Sequence, residues 1–168
     1  DGTAAGDIWD TFDGTTGTTV FSSTTSNNMM LYTLPSMVDD LSVSASYVPQ
    51  AAGADSSISY AATYTGVEGL SVSYGVGEQE TSSTAQGDTT TMKASYAYGP
   101  VTVAYSNNDH ATETSSKDQE TTSYKLSYTV SDAISVSYGT DVIDLENDAQ
   151  DAEFEKLSVA YTSGGMTV

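Results

Sequence analysis

The stretch Leu41-Ser-Val-Ser-Ala-Ser-Tyr47 sets Leu41, Val43, Ala45 and Tyr47 at one phase of a two-residue period and Ser42, Ser44 and Ser46 at the other. A period of two is that of a β-strand with one apolar and one polar face. Four stretches repeat it: Leu70-Ser-Val-Ser-Tyr74, Val101-Thr-Val-Ala-Tyr105, Ile134-Ser-Val-Ser-Tyr138 and Leu157-Ser-Val-Ala-Tyr161. Near-copies of this kind mark a repeated hairpin unit. The fold therefore turns on which way the apolar face points.

Outward from these stretches, the alternation predicts nine strands, near 28–34, 41–48, 57–64, 70–76, 90–98, 101–107, 121–130, 134–140 and 153–162, with a tenth beginning at Gly165. The connections alternate in kind. Those at 35–40, 65–69, 99–100, 131–133 and 163–165 are short and built from Gly, Pro, Ser and Asp, as turns require. Those at 50–56, 77–89, 108–120 and 141–152 are long and mostly acidic. An antiparallel up-and-down sheet puts all the short turns on one rim and all the long loops on the other. Residues 1–27 carry no period and embed Ile8, Trp9 and Phe12 among Gly, Thr, Ser and Asp, which predicts a long packed loop with a short helical turn at 7–12. Residues 28–168 are read as barrel strands.

Composition removes several function classes. The 168 residues suit one domain. Without cysteine there is neither a disulfide framework nor a thiolate metal site, and one histidine, His110, leaves nothing for a histidine-based triad. No GxxxxGK phosphate loop is present. The chain reads as a non-enzyme. Its 23 acidic residues against 4 basic ones, net −19, would repel nucleic acid and gather cations. Twelve tyrosines in register with valines argue against acidic disorder. No apolar run reaches the length of a membrane helix, which leaves a membrane β-barrel open. The chain opens without Met and stops as a strand begins, so a segment of a longer protein is expected.

A soluble β-sandwich would carry charge on its outer face, but the polar phase here is Ser, Thr, Ala and Gly: Ser71, Ser73 and Gly75 on one strand, Ser135, Ser137 and Gly139 on another. With the apolar face against hydrocarbon, the sheet must close into a barrel, because unpaired backbone groups there cost several kcal/mol each. Aromatic girdles then mark the interfaces. Tyr47, Tyr74, Tyr105 and Tyr138 follow tight turns by four to six residues, and Tyr64, Tyr98, Tyr128 and Tyr161 fall just before them. This spacing predicts one belt at the short-turn rim and another higher on the wall.

The stretch Asn28-Met-Met-Leu-Tyr-Thr-Leu-Pro-Ser-Met-Val-Asp-Asp-Leu-Ser-Val-Ser-Ala-Ser-Tyr47 resembles the strand-turn-strand that follows the constriction loop of trimeric Gram-negative porins, and Asp7-Ile-Trp-Asp-Thr-Phe-Asp-Gly14 lies where such porins carry that loop. The resemblance implies a middle-to-late segment of a sixteen-stranded outer-membrane barrel, a homotrimer among lipid and lipopolysaccharide, passing small hydrophilic solutes by diffusion. It also implies that Asp7, Asp10 and Asp13 narrow the lumen while Ile8, Trp9 and Phe12 anchor the loop. Lys93, Lys125 and Lys156 each lie five residues before a turn-proximal position, at the polar phase of alternate strands, and so should form a row on the lumen wall. The bland reading pairs each with a local carboxylate such as Glu155. The excess of carboxylates around the mouth predicts a preference for cations. Asp141, Asp144, Glu146, Asp148 and Asp151 offer oxygen ligands for Ca2+ in a loop, without the glycine or spacing of an EF-hand; a solvated acidic loop is the plainer expectation, and no other cofactor is implied. Two other readings stay open: a soluble or surface-attached adhesin or lectin-like β protein, and a small plugged eight-stranded barrel.

Overall fold

The computed structural model describes residues 29–35, 38–49, 56–79, 87–112, 118–146, 151–163 and 166–167. These form ten strands: β1 (Met30–Thr33), β2 (Leu41–Val48), β3 (Ser57–Tyr64), β4 (Leu70–Gln79), β5 (Gly87–Tyr98), β6 (Val101–Thr112), β7 (Gln119–Ser131), β8 (Ile134–Leu145), β9 (Ala152–Ser163) and β10 (Met166–Thr167). They make one sheet in chain order, antiparallel at every step. This is the all-β meander expected from the alternation. The sheet is not closed, since β1 and β10 are its edges.

Two expectations need correction. β1 is shorter than the stretch 28–34, and β4 to β9 reach further toward the long connections than hydrophobic alternation shows. Residues 77–79, 87–89, 108–112, 119–120 and 141–145 are strand, so Asp141 and Asp144 belong to β8 and not to a loop. The reason is visible in the pairing. On β5 to β7 the period of two continues beyond the apolar stretches with mostly polar side chains at both phases, and between β5 and β6 cross-strand hydrogen bonds replace apolar contact: Asn108 Nδ2 donates to Thr91 Oγ1 at 2.7 Å, and Thr89 Oγ1 meets His110 Nδ1 at 2.9 Å.

The short connections make a repeated joint. Gly99 follows β5 with φ 56°, the first central position of a two-residue hairpin that needs left-handed backbone, and Asp40 and Gly69 have φ 62° and 79°. At each joint the residue just before an outgoing strand accepts a hydrogen bond from the incoming strand of the next hairpin: Thr65 N to Asp40 O (2.9 Å), Ala97 N to Gly69 O (2.8 Å), Thr129 N to Pro100 O (2.8 Å) and Thr162 N to Ala133 O (2.8 Å). Identical joints impose identical stagger. Leu41, the first residue of β2, shares its cross-strand row with Val72, the third of β4. Leu70 shares one with Val103, the third of β6, and Val101 with Val136, the third of β8. That is one residue of shear per strand. With about 3.3 Å along the strand and 4.8 Å between strands, the strands lean by about 35° when the turns are level, within the range of closed barrels.

Candidate pore wall

Pairing fixes which side chains share a face, because directly opposed residues point the same way. Every buried side chain of the strands lies on one face: Ser46, Ser59, Ala61, Ser73, Thr89, Thr91, Ser106, Asn108, His110, Gln119, Thr121, Asp141 and Ile143. All twelve tyrosines lie on the other. The polar face is the shielded one. Thr91 is 0% exposed and Ser46 3%, whereas Leu157 is 70% exposed and Tyr98 76%. Leu31 and Phe154 are the large apolar side chains of the shielded face that remain exposed. This is the inverse of a soluble β protein, and it is what a wall curled around its polar side presents. On the inner face hydroxyls satisfy one another across strands, as in Ser46 with Ser59 (2.6 Å) and Thr63 with Ser73 (2.9 Å).

The joints give a common zero of height, at Leu41, Leu70, Val101 and Ile134 on outgoing strands and Thr65, Ala97, Thr129 and Thr162 on incoming ones. On a strand leaning by about 35°, each residue climbs about 2.7 Å. Tyr64, Tyr96, Tyr98, Tyr128 and Tyr161 fall within one residue of that rim, and Tyr47, Tyr60, Tyr74, Tyr105, Tyr124 and Tyr138 four to six residues above it. All eight tyrosines singled out from the sequence are thus on the outer face in two tiers. Tyr60, Tyr96 and Tyr124 join them, and Tyr32 lies on the same face of β1. Tyr105 and Tyr124 touch with centroids 5.2 Å apart.

Above the upper tier the outer face changes character. Glu155 lies seven residues above the rim, Glu78 and Asp109 eight, Asp88, Glu120 and Glu153 nine, and Asp144 ten. Between the rim and this collar, outer positions of the described strands carry no charge. The uncharged height is about 19–27 Å, close to the apolar band of about 25 Å on outer-membrane barrels. Tyr138 O–H reaches up to Glu155 Oε1 at 2.8 Å, so an upper-tier hydroxyl touches the collar. Hydropathy alone assigns most of the collar residues to loops, and so hides it. Their odd-even spacing against the neighbouring threonines is the signal that could have found it.

On the inner face of the described strands the ionisable groups are Lys93, Lys125, Lys156, Asp141 and His110. Lys93 and Lys125 both stand four residues above the rim, and Lys156 stands six, about 5 Å higher. Lys125 and Lys156 both oppose Gly139, and Lys156 is the diagonal neighbour of Asp141. The side chains between them are small: Ala104, Ser106, Ser137 and Gly139. Glu155, the local carboxylate considered for pairing, faces outward instead. Asp141 and Asp144 lie on opposite faces of β8, Glu146 ends the described part of that loop, and Asp148 lies outside the described residues. Among the described residues no group of three or more His, Asp or Glu side chains converges as a metal site. Asp7, Ile8, Trp9, Asp10, Phe12 and Asp13 also lie outside the described residues.

His110 sits nine residues above the rim, level with the collar and beyond the uncharged band. Burial holds its pKa below the usual histidine value, against the opposing pull of Asp118, Asp109 and Asp88. Asp118 also ties the root of the β6–β7 loop: its Oδ1 accepts from Thr112 N (2.6 Å) and Thr112 Oγ1 (3.1 Å), and its carbonyl accepts from Glu146 N (3.1 Å).

No curated protein matches the chain. A family model described as Gram-negative porin matches residues 1–166, nearly its whole length. With its polar face shielded and its uncharged face bared, the chain belongs to the Gram-negative porin family, whose place is the outer membrane.

Proposed function

We propose that this chain forms part of the wall of a passive diffusion channel for small hydrophilic solutes, acting by passage and not by chemical conversion, in a homotrimer surrounded by lipid and lipopolysaccharide. The observation that carries the reading is the burial of Ser, Thr and Asn side chains on the inner face while twelve tyrosines face outward. A water-filled hole selects by its width and its field. In this reading the open edges at β1 and β10 are completed by further strands, and the segment carrying Asp7, Asp10 and Asp13, held by Ile8, Trp9 and Phe12, narrows the lumen opposite Lys93, Lys125 and Lys156.

The net charge of −19 and the carboxylates above the uncharged band favour cations at the mouth. A second reading, preference for anions, has one observation in its favour: the described inner wall sets three lysines against Asp141 alone. Incorporation of the purified protein into a planar bilayer under a KCl gradient decides both points. Discrete conductance steps with a cation-signed reversal potential support the proposal. Anion sign transfers control of selectivity to the lysines, and absence of steps ends the channel reading.

A further inference from the structure

The outer face of the described strands carries a furrow at β5. On β5, Ala94 stands three residues above the rim between Val72 and Tyr105, its cross-strand neighbours, and leaves a furrow of about 270 Å³. Leu70, Tyr96 and Val103, one cross-strand row, form its lower wall, and Tyr105 and Tyr124 its upper wall. The lining side chains lie from the rim to five residues above it, in the half of the uncharged band nearer the tight turns. None of them is charged.

We infer that this furrow seats one acyl chain of a phospholipid from the turn-side leaflet, held as a retained lipid while its neighbours exchange freely. The inference rests on the membrane-facing reading of this wall. Depth fixes the occupant: the furrow opens inside the uncharged band, below the carboxylate collar, where hydrocarbon is the surrounding medium. Size agrees, since an apolar cavity of about 150 Å³ already accommodates a benzene ring, and this one has room for a longer hydrocarbon segment. The lower end meets Tyr96 at the rim, with Tyr98, the most exposed tyrosine, beside it. Amphipathic rings at that level face headgroups, so a lipid whose headgroup rests at the rim can send a chain up into the furrow. A methyl at position 94 is what keeps the space open, because a larger side chain there would lie between Tyr105 and Tyr96.

The test is native mass spectrometry of the full-length protein extracted in a mild detergent, comparing wild type with Ala94→Trp and with Ala62→Trp. Ala62 lies at the same height on the outer face of β3 but does not line the furrow. Wild type and Ala62→Trp should retain a phospholipid, and Ala94→Trp should lower the ratio of lipid-bound to lipid-free protein about tenfold, which corresponds to about 1.4 kcal/mol of binding. Equal retention in all three, or equal loss in both variants, overturns the seat. A changed number of chains per complex in Ala94→Trp with lipid retention unchanged overturns it too, and assigns the furrow to a second copy of the chain. Conductance steps recorded for the same samples keep the outcomes apart: steps persist if only the lipid seat is wrong, and are missing from wild type if the channel reading is wrong.

Discussion

At the scale of single residues, neighbours in sequence meet opposite media. Leu126 is half exposed on the outer face and Ser127 lies on the inner, paired with Thr102 and Ser137. Leu126→Arg, near the middle of the uncharged band, should destabilise the folded protein by about 2–4 kcal/mol in lipid or detergent. Ser127→Arg should change stability by less than about 0.5 kcal/mol, and urea titration of the two variants compares them directly. The turn glycines make a second contrast. Gly69 has φ 79°, and a Cβ there would collide with the carbonyl oxygen of Ala97, the residue whose N–H closes the joint; Gly99 has φ 56° with open space around it. Gly99→Ala should therefore cost only the left-handed backbone term, about 1–2 kcal/mol. Gly69→Ala should cost more and lower the yield of refolded protein, because a backbone carbonyl cannot step aside as a flexible side chain can.

At the scale of elements, the apolar halves of the strands were legible in the sequence and the polar halves were not. Leu41, Leu70, Val101, Ile134 and the tyrosines that follow them announce both the strands and the outer face, because hydrophobic alternation is a direct record of a wall between two media. The upper ends of β5 to β7 carry Thr89, Thr91, Asn108 and Thr121 inward against Asp88, Asp109 and Glu120 outward, so both phases are polar and no hydropathy period exists to read. Pairing places those carboxylates on the outer face. The constriction role proposed for Asp7, Asp10 and Asp13 rests on resemblance alone. His110 belongs to the same polar half and gives it a pH dependence. Its folded-state pKa lies below 6.5, so the unfolded chain takes up the proton first as pH falls, and stability is lost from about that pH downward. Above it the residue contributes no dependence. Thermal melts of wild type and His110→Gln should run parallel above pH 7 and diverge below 6.5, with wild type losing more; identical profiles would show that His110 is not buried as a neutral ring.

At the scale of the whole molecule, charge on the described strands is sorted by face: three lysines and Asp141 inside, and seven carboxylates outside above the uncharged band. This sorting explains how a chain of net −19 can present a basic inner wall. Replacing Lys93, Lys125 and Lys156 together with Gln should shift the reversal potential under a KCl gradient toward cations, and an unchanged value would remove these residues from the permeation path. The arrangement depends on lipid covering the outer face and water filling the inner one. Since the chain has no cysteine, single spin labels can be introduced at each position from Ser123 to Tyr128 without background. Collision rates in liposomes should alternate, with oxygen favoured at Tyr124, Leu126 and Tyr128 and a water-soluble nickel chelate favoured at Ser123, Lys125 and Ser127. The opposite phase, or no alternation at all, would contradict the account.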